Sequence, residues 1–174
     1  MRRALALASL CAALAAPVFA RAQDKPVWKE APWPFLRDAW PNGRAFNCVG
    51  GGCGAGLSLY VRTKNGFCDC ARGVADDDEI DRVGDVYLVA PDFKPLATSL
   101  PRDLAGMNGR IRLYETMSAK PEQVLSLAGG RDCNAFVALA AGGAAFPEKG
   151  ADAAADFINT PGFSKWIAAK QNGG

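Results

Sequence analysis

The chain has 174 residues, with 20 Lys plus Arg against 18 Asp plus Glu and no histidine. The missing imidazole excludes Ser-His-Asp and Cys-His catalysis, histidine metal sites and histidine-ligated haem, and the near balance of charge argues against general affinity for nucleic acid or anionic membrane. GxSxG, GxGxxG and GxxxxGK[ST] are absent too, so an enzyme here would depend on cysteine, carboxylate, lysine or tyrosine.

Residues 1–22, MRRALALASLCAALAAPVFARA, open on two arginines, continue as an Ala/Leu run and end in the small-x-small pattern Ala20-Arg21-Ala22. This is the pattern of a cleaved secretory signal. The apolar run is interrupted by Ser9 and Pro17 and falls short of the roughly 20 residues of a spanning helix. The expected mature chain begins at Gln23, lacks Cys11 and resides in the periplasm or medium. Cleavage removes three arginines and no acid, leaving 17 basic against 18 acidic residues. Nothing after the signal is long and apolar enough to span a membrane.

Residues 23–43, QDKPVWKEAPWPFLRDAWPNG, carry Pro26, Pro32, Pro34 and Pro41. Four prolines forbid a regular helix and a central strand, which predicts an extended arm. The aromatic load is more than a disordered tail carries, so the arm is expected to lie across the domain and cover one end of its core. Trp28, Trp33 and Trp40 are also the candidate partner-binding residues, because aromatics on a stiff backbone lose little entropy on docking. Residues 44–174 are expected to form one α+β domain.

Arg44 to Cys48 predicts a short strand. Leu57 to Thr63, LSLYVRT, alternates apolar with polar residues at the period of a half-buried strand. Asn65-Gly66 then predicts a type I′ hairpin. In that hairpin Thr63 faces Cys68 and Val61 faces Cys70.

Four of the six cysteines, Cys48, Cys53, Cys68 and Cys70, lie at the spacing C-x4-C-x14-C-x-C, with Cys133 far downstream. Four thiolates could hold zinc, but C-x-C is too tight for a knuckle and an exported chain meets an oxidising space. Cys68 and Cys70 on one strand face could form a labile disulfide, or bind Cu(I). The preferred reading is a staple. In it Cys48 and Cys53 each bond one of Cys68 and Cys70, and Cys133 stays a buried thiol, although Cys133 could instead draw a partner from the cluster.

The acidic run Asp76-Asp77-Asp78-Glu79 lacks EF-hand spacing, since Ile80 and Tyr87 occupy ligand positions. It fits a helix start: Asp76 and Glu79 make a D-x-x-E capping pattern, with negative charge in the first turn. Val86 to Ala90 predicts a strand, Lys94 to Gly109 a loop or short helix, and Arg110 to Met117 a strand. QVLSLAGG is an apolar run closed by glycines, and Cys133 to Ala140 is a central strand or small helix. Two helices follow, Ala151 to Ile158 and Phe163 to Lys170, the second docking Phe163, Trp166 and Ile167 on the sheet. The fold class is α+β: a mostly antiparallel sheet, a disulfide-clasped β-hairpin and C-terminal helices packed on the sheet.

The functional expectation is an exported, non-enzymatic accessory or binding protein without cofactor or metal, whose partner is a protein or a small molecule. The alternative is thiol-disulfide exchange or copper handling by Cys68 and Cys70. A weaker third reading is a small hydrolase using carboxylates from Asp76 to Asp81.

Overall fold

The computed structural model describes residues 25–53, 56–143, 145–146 and 149–172; the expected signal segment and Cys11 lie outside them. Among the described residues, eight strands form one antiparallel sheet: β1 (Val27–Ala31), β2 (Arg44–Val49), β3 (Ser58–Lys64), β4 (Phe93–Pro95), β5 (Leu100–Leu104), β6 (Met107–Thr116), β7 (Gln123–Arg131) and β8 (Asn134–Ala141). The strand order is β1-β2-β3-β8-β7-β6-β4, and β5 pairs with the other half of β6. Three α-helices complete the chain: α1 (Asp77–Val83), α2 (Gly150–Ile158) and α3 (Pro161–Gln171). The architecture is α+β.

The period-2 rule assigns the two faces of the sheet. Leu59, Val61, Leu125, Leu127, Phe136, Ala138 and Ala140 point one way and bury against Ala154, Ala155 and Ile158 of α2 and Phe163 and Ile167 of α3. Their neighbours point the other way. Ala128, Ala135 and Val137 pack on Ile80 and Val83 of α1, while Tyr114, Val124 and Leu139 pack on Val86. The sheet is therefore covered on both faces. Asp76 caps α1 as its sequence predicts, accepting from Glu79 N at 2.9 Å, an interaction worth about 1 kcal/mol.

β1 forms within the proline-rich arm and pairs with β2 as an edge strand, a position where proline-flanked chain is tolerated. Trp28 stacks on Phe157 of α2 with ring centres 5.2 Å apart, which places the arm over one end of the main core.

Several local expectations are corrected. The strand after Asn65-Gly66 does not form: β3 pairs with β8, so that Thr63 faces Phe136 and Val61 faces Ala138. Asn65 instead donates to Lys170 O at 3.0 Å, and Gly66 N to Asn134 Oδ1 at 3.0 Å. These bonds turn the chain away from its predicted return strand. The disulfide-clasped hairpin that does form is β2–β3, whose connection holds the Cys48–Cys53 bond.

Val86 to Ala90 is a 3₁₀ turn over Val86–Leu88 rather than a strand, because Asp85 is drawn into the interior and Leu88 N bonds back to Asp85 O at 2.8 Å. Lys94 to Gly109 is mostly β4, β5 and the start of β6. Pro95 and Pro101 sit on the outermost strands, where a missing N–H costs no ladder bond. The glycines of QVLSLAGG do not end the apolar run either. They continue β7, pairing with Phe136 and Ala135 of β8, and position 130 requires glycine because a Cβ there would meet Cys68 Sγ at 2.9 Å.

Candidate functional site

The cysteines divide differently from the expected staple. Cys48 bonds Cys53, Cys70 bonds Cys133, and Cys68 is a buried free thiol. The assignment of Cys68 to a disulfide, and of Cys133 to the free state, is therefore corrected. The physical reason lies in the β7–β8 turn: Asp132 and Cys133 both take positive φ, 52° and 65°, between the paired Arg131 and Asn134. This two-residue loop presents Cys133 to the segment after β3, where Cys68 N bonds Cys133 O at 3.3 Å. Burial pushes the Cys68 thiol above its ordinary range, with the Glu79 carboxylate adding to the effect. Cys68 and Cys70 thus form no dithiol pair, and the available thiol sits where the thiolate is disfavoured. Two disulfides suit an oxidising compartment, and no helix among the described residues is long and apolar enough to cross a membrane.

The acidic run is used by neighbouring cations. Asp77 accepts from Ser99 and pairs with Arg112 at 3.3 Å; Asp81 accepts from Arg112 at 2.8 Å and from Tyr114 at 2.5 Å; Glu79 pairs with Arg82 at 2.6 Å. Neutralised carboxylates are poor general bases. Among the described residues, no three acidic, cysteine or histidine side chains are placed to hold a metal ion.

The three arm tryptophans separate. Trp28 joins the core through Phe157, and Trp33 packs edge-on to Phe35 and Tyr60 at 5.3 and 6.3 Å. Trp40 lines a cleft. That cleft, about 450 Å³ in volume, lies between the arm, the end of β3 and α3, and its lining includes Trp40, Asn42, Thr63, Asn65, Trp166 and Lys170. Two indoles supply apolar faces, while two amides and a hydroxyl supply donors and acceptors. The size is that of a small-ligand site.

What holds Trp40 is an ion cluster beneath the arm. Arg62 and Lys64 leave β3 toward the α1 face, where Asp85 receives both: Arg62 Nε at 2.5 Å and Lys64 Nζ at 2.6 Å, with the three side chains only 3%, 2% and 4% exposed. Arg62 also reaches out to Asp38 of the arm at 2.8 Å, and Tyr87 donates to the same carboxylate at 3.2 Å. Asp38 Oδ1 in turn accepts from Trp40 N at 2.8 Å. Lys64 Nζ is surrounded by the rings of Trp40, Phe67 and Tyr87 at 5.6, 5.3 and 5.7 Å, cation–π contacts that strengthen on desolvation.

Burial lowers the Lys64 pKa below its ordinary value despite Asp85, whereas around Arg62 the carboxylates of Asp85 and Asp38 outweigh burial and raise it. Burial beside Asp85 pushes the Tyr87 hydroxyl up to about 12. The segment carrying Trp40 is therefore pinned from below by charge and from the side by ring contacts. A wall fixed in this way needs little reordering to accept a ligand.

Comparisons with protein-family models, with curated proteins and with solved structures find no match for this chain.

Proposed function

We propose that the chain is an exported, non-enzymatic binding protein whose ligand seats in the cleft between Trp40 and Trp166. The observation that carries this reading is the cleft itself: two indole faces, the amides of Asn42 and Asn65 and the Thr63 hydroxyl converge on one concavity, and the ion cluster under Asp38 fixes one wall. That lining, which includes Lys170, suits a small polar ligand with an apolar face and a hydrogen-bonding rim, such as a sugar ring. Export is supported by the N-terminal pattern and by two disulfides, and binding rather than catalysis by neutralised carboxylates and a shielded thiol.

Titration of the isotopically labelled protein with a panel of mono- and disaccharides, followed by NMR, tests it. Shifts confined to the indole N–H groups of Trp40 and Trp166 and the amides of Asn42 and Asn65, abolished by Trp40→Ala, are the expected result. Shifts scattered over the surface, or none with any sugar, would overturn it.

A further inference from the structure

A second cleft, about 420 Å³ in volume, lies between the β5–β6 hairpin and the segment preceding α1. It is lined by Arg72, Arg102, Asp103, Asn108 and Arg110, among others. Three guanidiniums face one carboxylate, and Asp103 also accepts from its own turn at Gly106 N, 3.2 Å away.

Arg72 and Arg102 are solvent-exposed. Arg72 pairs with Asp69 at 3.3 Å and Asp76 at 3.2 Å, and Arg102 pairs with Asp152 at 3.1 Å. Such pairs are held weakly and give way to a competing anion.

Arg110 differs. It is half-buried, and its Nε donates to Ser99 Oγ, its Nη2 to Ser99 O at 2.9 Å and its Nη1 to Ala75 O at 2.9 Å. All three acceptors are neutral. Among the described residues no carboxylate lies within ion-pair distance of Arg110. The nearest route to one is the Ser99 hydroxyl, which donates to Asp77, and Asp77 is already paired with Arg112. A guanidinium has five N–H donors, of which three are used here. The result is a firmly held, planar donor on the wall of a cleft, bonded directly to neutral acceptors and separated from the Asp77 carboxylate by the Ser99 hydroxyl, with donors left over for an oxyanion.

We infer that this cleft binds an oxyanion group, phosphate or carboxylate, of a small ligand, with Arg110 as the fixed anchor and Arg72 and Arg102 closing over it. An adjoining hollow of about 230 Å³ shares Arg72, Asp103 and Asn108 and adds the pair Arg131 and Asp132, leaving room for the rest of such a molecule. The inference is independent of the tryptophan cleft.

Calorimetric titration of the exported protein in low-salt HEPES tests it, with sodium phosphate and sodium citrate as separate probes. The expected result is saturable binding of one equivalent of at least one probe, and the preferred probe distinguishes a phosphate from a carboxylate ligand. Arg110→Gln should weaken binding about tenfold or more, the scale of one charge-assisted hydrogen bond. Because Arg110 also ties two loops together, the exposed positions supply the check that does not depend on its folding. Arg72→Gln should weaken binding roughly threefold, and Asp103→Asn, which removes the facing carboxylate, should tighten it by about the same factor. No saturable heat with either probe up to about 10 mM, or binding unmoved by both Arg72→Gln and Asp103→Asn, would overturn the inference.

Discussion

The two disulfides close loops of very different length, and this sets a measurable inequality. Cys70 and Cys133 are separated by 63 residues and Cys48 and Cys53 by 5. In the chain-entropy account the longer crosslink stabilises the fold by about 4 kcal/mol and the shorter by about 2 kcal/mol. At a urea dependence of about 2 kcal/mol per molar, the double variant Cys70→Ser/Cys133→Ser should lose about 2 M in its unfolding midpoint. Cys48→Ser/Cys53→Ser should lose about 1 M on the same scale. Replacing both partners leaves Cys68 no new partner to capture. Intact-mass alkylation of the parent protein under denaturing, non-reducing conditions supplies the companion measurement. One of the five cysteines beyond residue 22 should react, at Cys68, and it should resist alkylation while the protein is folded because its thiol is buried and its pKa raised. Equal midpoint shifts in the two double variants, or a label on Cys133, would refute the reasoning.

Asp85→Asn should cost about 3–5 kcal/mol, because it leaves Arg62 and Lys64 buried without their common counter-charge. Lys64 has a folded pKa below its ordinary 10.5, so the unfolded chain binds its proton more tightly and stability associated with this group rises with pH from the lowered value up to about 10.4. The gap between variant and parent should therefore narrow in alkali; a gap that stays constant to pH 10.5 counts against Lys64 as the cause. Asp77 is held below its ordinary 3.8, chiefly by the Ser99 hydroxyl, so its contribution is present above that pH and is lost as pH falls through the depressed folded value. Ser99→Ala should bring the Asp77 titration, followed by carboxyl NMR, back toward 3.8, and an unmoved titration would contradict the assignment.

Local signals in the sequence translated well where one element decides its own fate. The alternation of LSLYVRT gave β3, the D-x-x-E pattern gave the cap of α1, and the C-terminal spacing gave α3 with Phe163 and Ile167 buried. Turn chemistry misled. Asn65-Gly66 carries the strongest hairpin signal, yet the two-residue turns with positive φ at both positions are Ala105-Gly106 and Asp132-Cys133, and nothing in Asp-Cys advertises that geometry. The disulfide pairing failed for the same reason, because it was inferred from the wrong hairpin. At the tryptophan cleft, Trp40 was legible as one of three arm tryptophans that are partner-binding candidates, whereas Trp166 read as a core residue and Asn42, Thr63 and Asn65 carried no signal of binding. Their convergence depends on how α3 docks against β3, a long-range event that no local window contains.

Alternation also says that a strand has two faces without saying which is wet, and the largest surprise of the fold follows from that gap. Arg62, Lys64, Arg110 and Arg112 all project from the sheet toward α1, a position that period 2 alone would assign to solvent. They are tolerated there because Asp38, Asp77, Asp81 and Asp85 come back over them from the arm, α1 and the 3₁₀ turn, which is the condition under which buried charge is affordable. The acidic run that resembles a metal or catalytic cluster is thus the counter-layer to a cationic sheet face. At one end of that layer the surplus contact, Arg62 to Asp38, reaches out to the arm and fixes Trp40. On β6, Arg110 is bonded directly only to neutral acceptors, meets Asp77 through the Ser99 hydroxyl, and lines a cleft. Both proposed sites border this charged layer, one where guanidinium and carboxylate pair directly and the other where a hydroxyl stands between them.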